Sequence, residues 1–345
     1  MRLSKQQNSR PWRRIEKLLV LNACLLLLLV IGTFINNRQA RKAVRDNNRV
    51  QMQILQVLDR SSGNQYVKKI ATQISTEGLA YLGSPKAPVK MIMIADFECP
   101  FCEQVGSKYL KDVRKDFVDT GLLGIYFLND PLTSHVRGQE AALAGWAAHQ
   151  QGKFWAFYDT MSASGDLSPD GYTAAAASLG LDSNRFTEDF KSTAAATEIK
   201  RQIALAESVP VPGVPALVLH DELLIGEQGF AGLKDRLTEW FVSQAQVMTQ
   251  AEFAKMPVQE RPAILDVRRA EEIAQGAIPG SLHATYGTET FLEDARNLLP
   301  SMNQPILVYC KGGARSAKAW HLLRGEGYTN VQYLSGGYDA WKAAQ

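Results

Sequence analysis

Cysteine is sparse: four residues in a chain of 345. That excludes a disulfide-stapled scaffold, in which cysteines make up a large share of a short chain. Histidine is also scarce, five in all. No second Cys/His pair lies close to Cys99 and Cys102, so the spacing of a structural zinc site is missing. His135 and His149 stand isolated and read as ordinary surface or helix residues. There is no internal repeat and no low-complexity segment. The net charge of +3 conceals an asymmetry. Residues 1–49 hold eleven Lys/Arg against Glu16 and Asp46, which leaves −6 for the remainder. A mildly acidic body offers no footprint for nucleic acid. The length leaves room for two or three domains.

The basic tail adjoins Leu18–Ile35, an apolar run interrupted only by Asn22 and Thr33. It is near the lower length limit for a membrane-spanning helix. No small-residue cleavage site follows it, so an uncleaved anchor is expected. Cys24 reads as a small apolar residue within that helix. Lys/Arg flank both ends of the run, which gives only a weak preference for a cytoplasmic N-terminus. Residues 36–80 are polar, with Val44, Ile54, Leu55 and Leu58 roughly on one helical face. This predicts a helical stalk, either a coiled coil joining copies of the chain or a monomeric spacer.

Gly83 to Pro88 forms a break. Val89–Ala95 reads as a strand buried on both faces, and Leu122–Leu128 as a second. Ser134 to Glu207 is Ala-rich and helical. Ala216–Leu219 and Glu222–Ile225 read as a hairpin, and a helix from about Gly232 to Gln244 closes this unit. Beyond residue 246, the short strands Ile264–Val267, Ile306–Tyr309 and Val331–Leu334 alternate with helices. That rhythm implies a small α/β unit with a parallel sheet.

Two loops carry the chemistry. Cys99-Pro100-Phe101-Cys102 follows a strand and opens a helix. At a helix N-terminus, unsatisfied N–H groups and the dipole favour a thiolate on Cys99. Cys102, one turn later, can resolve a mixed disulfide. Pro100 suits the first helical turn. Handling of a soft metal such as Cu(I) by the same pair is a further reading. In Cys310-Lys311-Gly312-Gly313-Ala314-Arg315-Ser316 the cysteine ends a strand and Ser316 starts a helix. Glycines let successive N–H groups form an anion nest, Arg315 can grip an oxyanion, and Lys311 adds charge. A cysteine phosphatase and a sulfurtransferase could both use this layout.

Ala95–Cys102, Gly83–Val89 and Gln151–Trp155 resemble segments of the DsbA-like thioredoxin-fold proteins, over about residues 80–245. The resemblance implies a thioredoxin fold with an inserted helical domain, and dithiol–disulfide exchange with other proteins. It also implies a cis-proline loop at Gly213-Val214-Pro215-Ala216, with Val214 and Pro215 beside the substrate. Residues 310–316, with Gly327–Val331 and Leu334–Trp341, are similar to a single-domain rhodanese, as are Leu265–Arg268 and Gly276–Ser281. Ala277 stands where that family usually has His. This resemblance covers about residues 248–345. It implies a persulfide on Cys310, with Arg315 and the loop residues Lys311, Gly312, Gly313, Ala314 and Ser316 binding a donor such as thiosulfate. Asp266 and Arg268 read as loop-supporting.

The expected architecture is therefore α/β: a basic cytoplasmic tail (1–17), an anchor (18–35), a stalk (36–80), a DsbA-like thioredoxin domain (81–245) and a rhodanese domain (246–345). The soluble domains would face the periplasm from a bacterial inner membrane. The expected partners are protein thiols and disulfides, a small sulfur donor and the membrane, with no cofactor and no metal. Fusion of the two domains suggests that the dithiol unloads the Cys310 persulfide. A rhodanese serving only as the binding module of a redox adaptor is the alternative.

Overall fold

The structure is a computed structural model that describes residues 74–209, 211, 213–219, 222–226, 230 and 232–345. The proposed anchor and the stalk up to residue 73 lie outside these. Among the described residues no helix is long and apolar enough to cross a membrane.

The first unit opens with β1 (Ala80–Leu82) and β2 (Val89–Ala95). An unbroken helical run follows: α1 (Pro100–Gln104), a π-helical turn (Val105–Tyr109), α2 (Leu110–Val113) and a second π turn (Arg114–Val118). β3 (Leu123–Asn129) leads into five helices: α3 (Gly138–Gln150), α4 (Phe154–Ser164), α5 (Pro169–Ser178), α6 (Ser183–Lys191) and α7 (Thr193–Glu207). The chain returns through β4 (Ala216–Leu219) and β5 (Glu222–Ile225) and closes with α8 (Leu233–Gln244). Strand order is β1-β3-β2-β4-β5. β2 pairs in parallel with β3 over seven residues and antiparallel with β4. It is central because the VKMIMIA segment has apolar side chains for both faces, and only Lys90 is exposed.

The insertion packs closely because α3 buries Gly138, Gly145 and five alanines. A Cβ on Gly145 would fall 2.9 Å from the Phe97 ring, so glycine there lets that ring seat beside the dithiol.

One boundary moves. Ile74 and Leu79, assigned from the sequence to the stalk, are buried against Ile92, Ile94 and Leu128 of the sheet. Residues 74–80 therefore belong to the first unit. Two apolar anchors in a polar stretch, followed by a three-residue edge strand, present no period to read.

The second unit contains β6 (Val247–Met248), α9 (Gln250–Lys255), β7 (Ala263–Asp266), α10 (Ala270–Ile273), β8 (Leu282–His283) and α11 (Phe291–Leu298). It continues through β9 (Ile306–Tyr309), α12 (Ala314–Gly325), β10 (Val331–Leu334) and α13 (Gly337–Ala343). Strand order is β6-β10-β9-β7-β8, every pair parallel.

The two units share an apolar contact. Phe117 from the end of the long helical run stacks on Phe241 of α8, with centroids 5.7 Å apart. From α12, the ammonium of Lys318 lies 3.9 Å from the Phe117 ring centroid. His321 packs edge-on against Phe241 and stacks on Trp240. Its Nε2–H donates to the Phe241 carbonyl at 2.8 Å. Lys86 pairs with Glu326 at 3.2 Å beside this contact.

Candidate active sites

Cys99 is the N-cap of α1 and Pro100 occupies the first turn. The Cys99 carbonyl accepts from the amides of Cys102 and Glu103, which locks the turn and places both sulfurs on one side. Both cysteines are free and buried. The Val214–Pro215 peptide is cis, and the Val214 carbonyl oxygen lies 3.8 Å from Cys99 Sγ. Four expected site residues, Cys99, Cys102, Val214 and Pro215, thus come together across 115 positions of sequence.

The two thiols differ sharply. A hydrogen bond from the Cys102 thiol is the largest influence on Cys99. With the backbone N–H groups of Cys102 and Phe101 it outweighs burial and the Asp96 charge, lowering the Cys99 pKa from 9.0 to about 6. Burial, and then the bond to Cys99, pushes the Cys102 thiol up well above its ordinary value. The neighbouring sulfur therefore dominates a tuning that the sequence had ascribed to the helix end. Alkylation of the reduced protein by iodoacetamide should begin at Cys99 and rise with pH through a midpoint near 6. A midpoint at the free-thiol value of about 8.5 would contradict this geometry.

Three further groups surround the dithiol: Asp96 and Glu98, to which the sequence reading assigned no role, and His135, which it read as an isolated ordinary residue and which instead pairs with Asp96. Asp96 follows β2 and is buried. His135 contacts its carboxylate at 2.6 Å. Glu98 accepts from the amides of Arg137 and Gly138 at 2.6 and 2.8 Å, tying the dithiol loop to the start of α3. A Cβ on Gly138 would meet Asp96 Oδ1 at 2.6 Å, so this approach requires glycine. Phe101 is exposed beside Cys99.

The second loop begins where β9 ends. The Gly313 amide donates to Cys310 Sγ at 3.1 Å. Gly313 has φ 108°, a value that favours glycine. The Ser316 hydroxyl donates to the Gly313 carbonyl at 2.8 Å and stands 3.7 Å from Cys310 Sγ. α12 starts at Ala314, two residues earlier than the sequence suggested. The Tyr338 and Asp339 amides, at the start of α13, hold the carbonyls of Cys310 and Lys311. Close packing there requires Gly337, whose Cβ would fall 2.3 Å from the Cys310 oxygen. Lys311 and Gly312 are exposed at the mouth.

Arg315 is paired with an acid from the neighbouring segment. Its Nη1 and Nη2 donate to Glu272 Oε2 and Oε1 at 2.7 and 2.6 Å. The guanidinium holds the Glu272 carboxyl down at about 2. Asp266 and Arg268 form a buried bidentate pair. Arg268 continues to the carbonyls of Glu272 and Gly276. The chain Asp266–Arg268–Glu272–Arg315 thus connects the end of β7 to the cysteine loop. Glu272 escaped the sequence reading because no local spacing relates it to residue 315.

The family described as Thioredoxin matches residues 75–239, and the Rhodanese-like domain family matches residues 249–344. The thiosulfate sulfurtransferase GlpE of Pseudomonas putida (strain GB-1) is 31% identical over 86 residues, which cover 25% of this chain and 74% of that protein. The chain belongs to the rhodanese family. Its rhodanese domain follows a thioredoxin-like domain with an inserted helical unit. A probable disulfide bond formation protein D of Bacillus anthracis is 26% identical over 152 residues, 41% of this chain and 70% of that protein. The Na(+)/H(+) antiporter NhaA 3 of Salinispora tropica is 32% identical over 163 residues. The match takes in 47% of this chain but only 24% of the antiporter's length.

Proposed function

We propose that the chain is a thiol–disulfide oxidoreductase, anchored by residues 18–35 with its domains in the bacterial periplasm, whose rhodanese domain carries sulfur as a persulfide on Cys310. One observation carries the reading: a low-pKa Cys99 sulfur lies against the Val214 carbonyl, paired with a protonated Cys102. The Cys99 thiolate attacks a client disulfide and forms a mixed disulfide while one client sulfur leaves as thiolate. Cys102 then loses its proton and attacks Cys99 Sγ, closing the Cys99–Cys102 disulfide and releasing the second client thiolate. Oxidation of a client dithiol runs the same steps in reverse. Val214 offers its backbone to the client beside Pro215.

At the second site the Cys310 thiolate takes the outer sulfur of a donor such as thiosulfate. Sulfite leaves with the bonding electron pair, and the persulfide remains to be passed to an acceptor thiolate. The Gly313 amide supports the sulfur. Lys311, Gly312 and Ala314 are exposed where the donor anion would enter, the buried Ser316 hydroxyl braces the loop through the Gly313 carbonyl, and Arg315 would turn from Glu272 to meet the anion.

Insulin reduction and thiosulfate sulfurtransferase assays on the full chain test both halves. Cys99→Ser should abolish the first activity and leave the second within twofold, and Cys310→Ser should do the opposite. Exchange activity that persists in Cys99→Ser overturns the reading.

A further inference from the structure

Behind the dithiol lies a carboxylate that the exchange steps above do not use. Asp96 is 1% exposed, and its amide donates to Cys102 Sγ at 3.5 Å. Its Oδ1 accepts from the Glu98 amide at 2.9 Å, and its Oδ2 from the Leu132 amide at 2.8 Å and from His135 Nδ1 at 2.6 Å. A buried carboxylate requires compensation. Among these three partners only His135 can carry a positive charge, and its side chain keeps 20% of its surface in solvent.

Asp130, a second buried acid, lies next to the pair with its amide on the Ala95 carbonyl, and other titratable groups nearby have partners of their own. Glu98 is held by the Arg137 and Gly138 amides, Arg137 pairs with Glu140 at 3.0 Å, and the Tyr158 hydroxyl donates to the Cys102 carbonyl at 3.2 Å. The Asp96 charge opposes ionisation of both Cys99 and Cys102. Exchange, however, requires a thiolate on Cys99.

We propose that His135 is a positioning residue for the dithiol, which holds and offsets the Asp96 carboxylate, shields the Cys99 thiolate from that charge and so sets how oxidising the Cys99–Cys102 couple is. The inference rests on the reading of Cys99 and Cys102 as the reacting pair. When a client dithiol is oxidised, its first thiolate attacks Cys99 Sγ. The Cys99–Cys102 bond breaks, and Cys102 leaves as a thiolate and takes a proton from solvent. The second client thiolate attacks the client sulfur of the mixed disulfide, and Cys99 leaves as a thiolate. A charge-compensated Asp96 makes Cys99 the better leaving group and stabilises the reduced form, which makes the disulfide the stronger oxidant.

The test uses the full chain as wild type, His135→Gln, Asp96→Asn and the double variant. Two readings are taken: equilibrium with oxidised and reduced glutathione, and the pH titration of thiolate absorbance. In His135→Gln the thiolate midpoint should rise, and the equilibrium should move roughly three- to tenfold towards the disulfide form. Asp96→Asn should shift both readings the opposite way, and adding His135→Gln to it should change neither. The inference is overturned if His135→Gln matches wild type, or if its effect survives undiminished beside Asp96→Asn. Should Asp96→Asn not fold, His135→Lys decides. A retained cation should bring both readings closer to wild type than His135→Gln does, and values equal to those of His135→Gln overturn the proposal. A wild-type protein that does not equilibrate with glutathione would instead remove the reading on which the inference depends.

Discussion

Asp266→Ala is expected to destabilise the rhodanese domain by about 3–5 kcal/mol, because it leaves one half of a buried ion pair uncompensated. Asp266 and Arg268 are 1% and 2% exposed. Both carboxylate oxygens are engaged: Oδ1 accepts from the Arg268 amide and Nε, and Oδ2 from Nη2 at 2.7 Å and from the Tyr309 hydroxyl at 2.6 Å. Removing the carboxylate strands a guanidinium that lies over the Tyr338 ring at 4.1 Å, and it leaves the Tyr309 hydroxyl without this acceptor. A loss of that size is a large part of the 5–15 kcal/mol that holds a typical domain together. Urea unfolding of the full chain, followed separately for the two domains, measures it. A shift under about 1 kcal/mol would show that water replaces the carboxylate at little cost. Sulfurtransferase activity should fall with stability, because Arg268 also supports the segment from which Glu272 grips Arg315.

Phe241→Ala should cost a comparable amount, about 3–5 kcal/mol for a fully buried aromatic ring, and its effect should reach both domains. The ring stacks on Phe117 within the first unit and receives the His321 edge from the second. Where wild type unfolds with the two domains coupled, the variant should show two separate transitions in calorimetry. A single unchanged transition would mean that the contact does not transmit stability.

The same contact responds to acid. Burial holds His321 below its ordinary pKa, so the folded protein packs the neutral ring. The unfolded chain takes up a proton near pH 6.5, and below that value it binds more protons than the folded one. Stability therefore falls as pH drops through about 6.5. His321→Gln should remove that part of the pH dependence.

What the sequence made legible follows physical rules. β2 was readable because a strand buried on both faces must be continuously apolar, and the Ala216–Ile225 hairpin because its turn interrupts two such runs. The residue 310–315 loop was readable because glycines, a cysteine and two cations within six positions have few other uses. Asp96 and His135 were not legible as a pair, since they meet only after β3 returns the chain to the end of β2. Glu272 and Arg315 likewise meet only through the parallel sheet. Lys318 and His321 are polar letters on a helix, and such letters ordinarily mark a solvated face. Here the Lys318 ammonium sits over the Phe117 ring and the His321 imidazole packs on Phe241 and Trp240 of the neighbouring unit.

The helical run from Pro100 to Val118 links the dithiol mechanically to the second domain. Its length is about 25 Å. Cys99 sits at one end, and the rhodanese domain grips Phe117 at the other. The dithiol and the contact between the domains thus sit at the two ends of one continuous helical element, so a push on the Cys99 loop is borne by the same rod that seats the rhodanese domain.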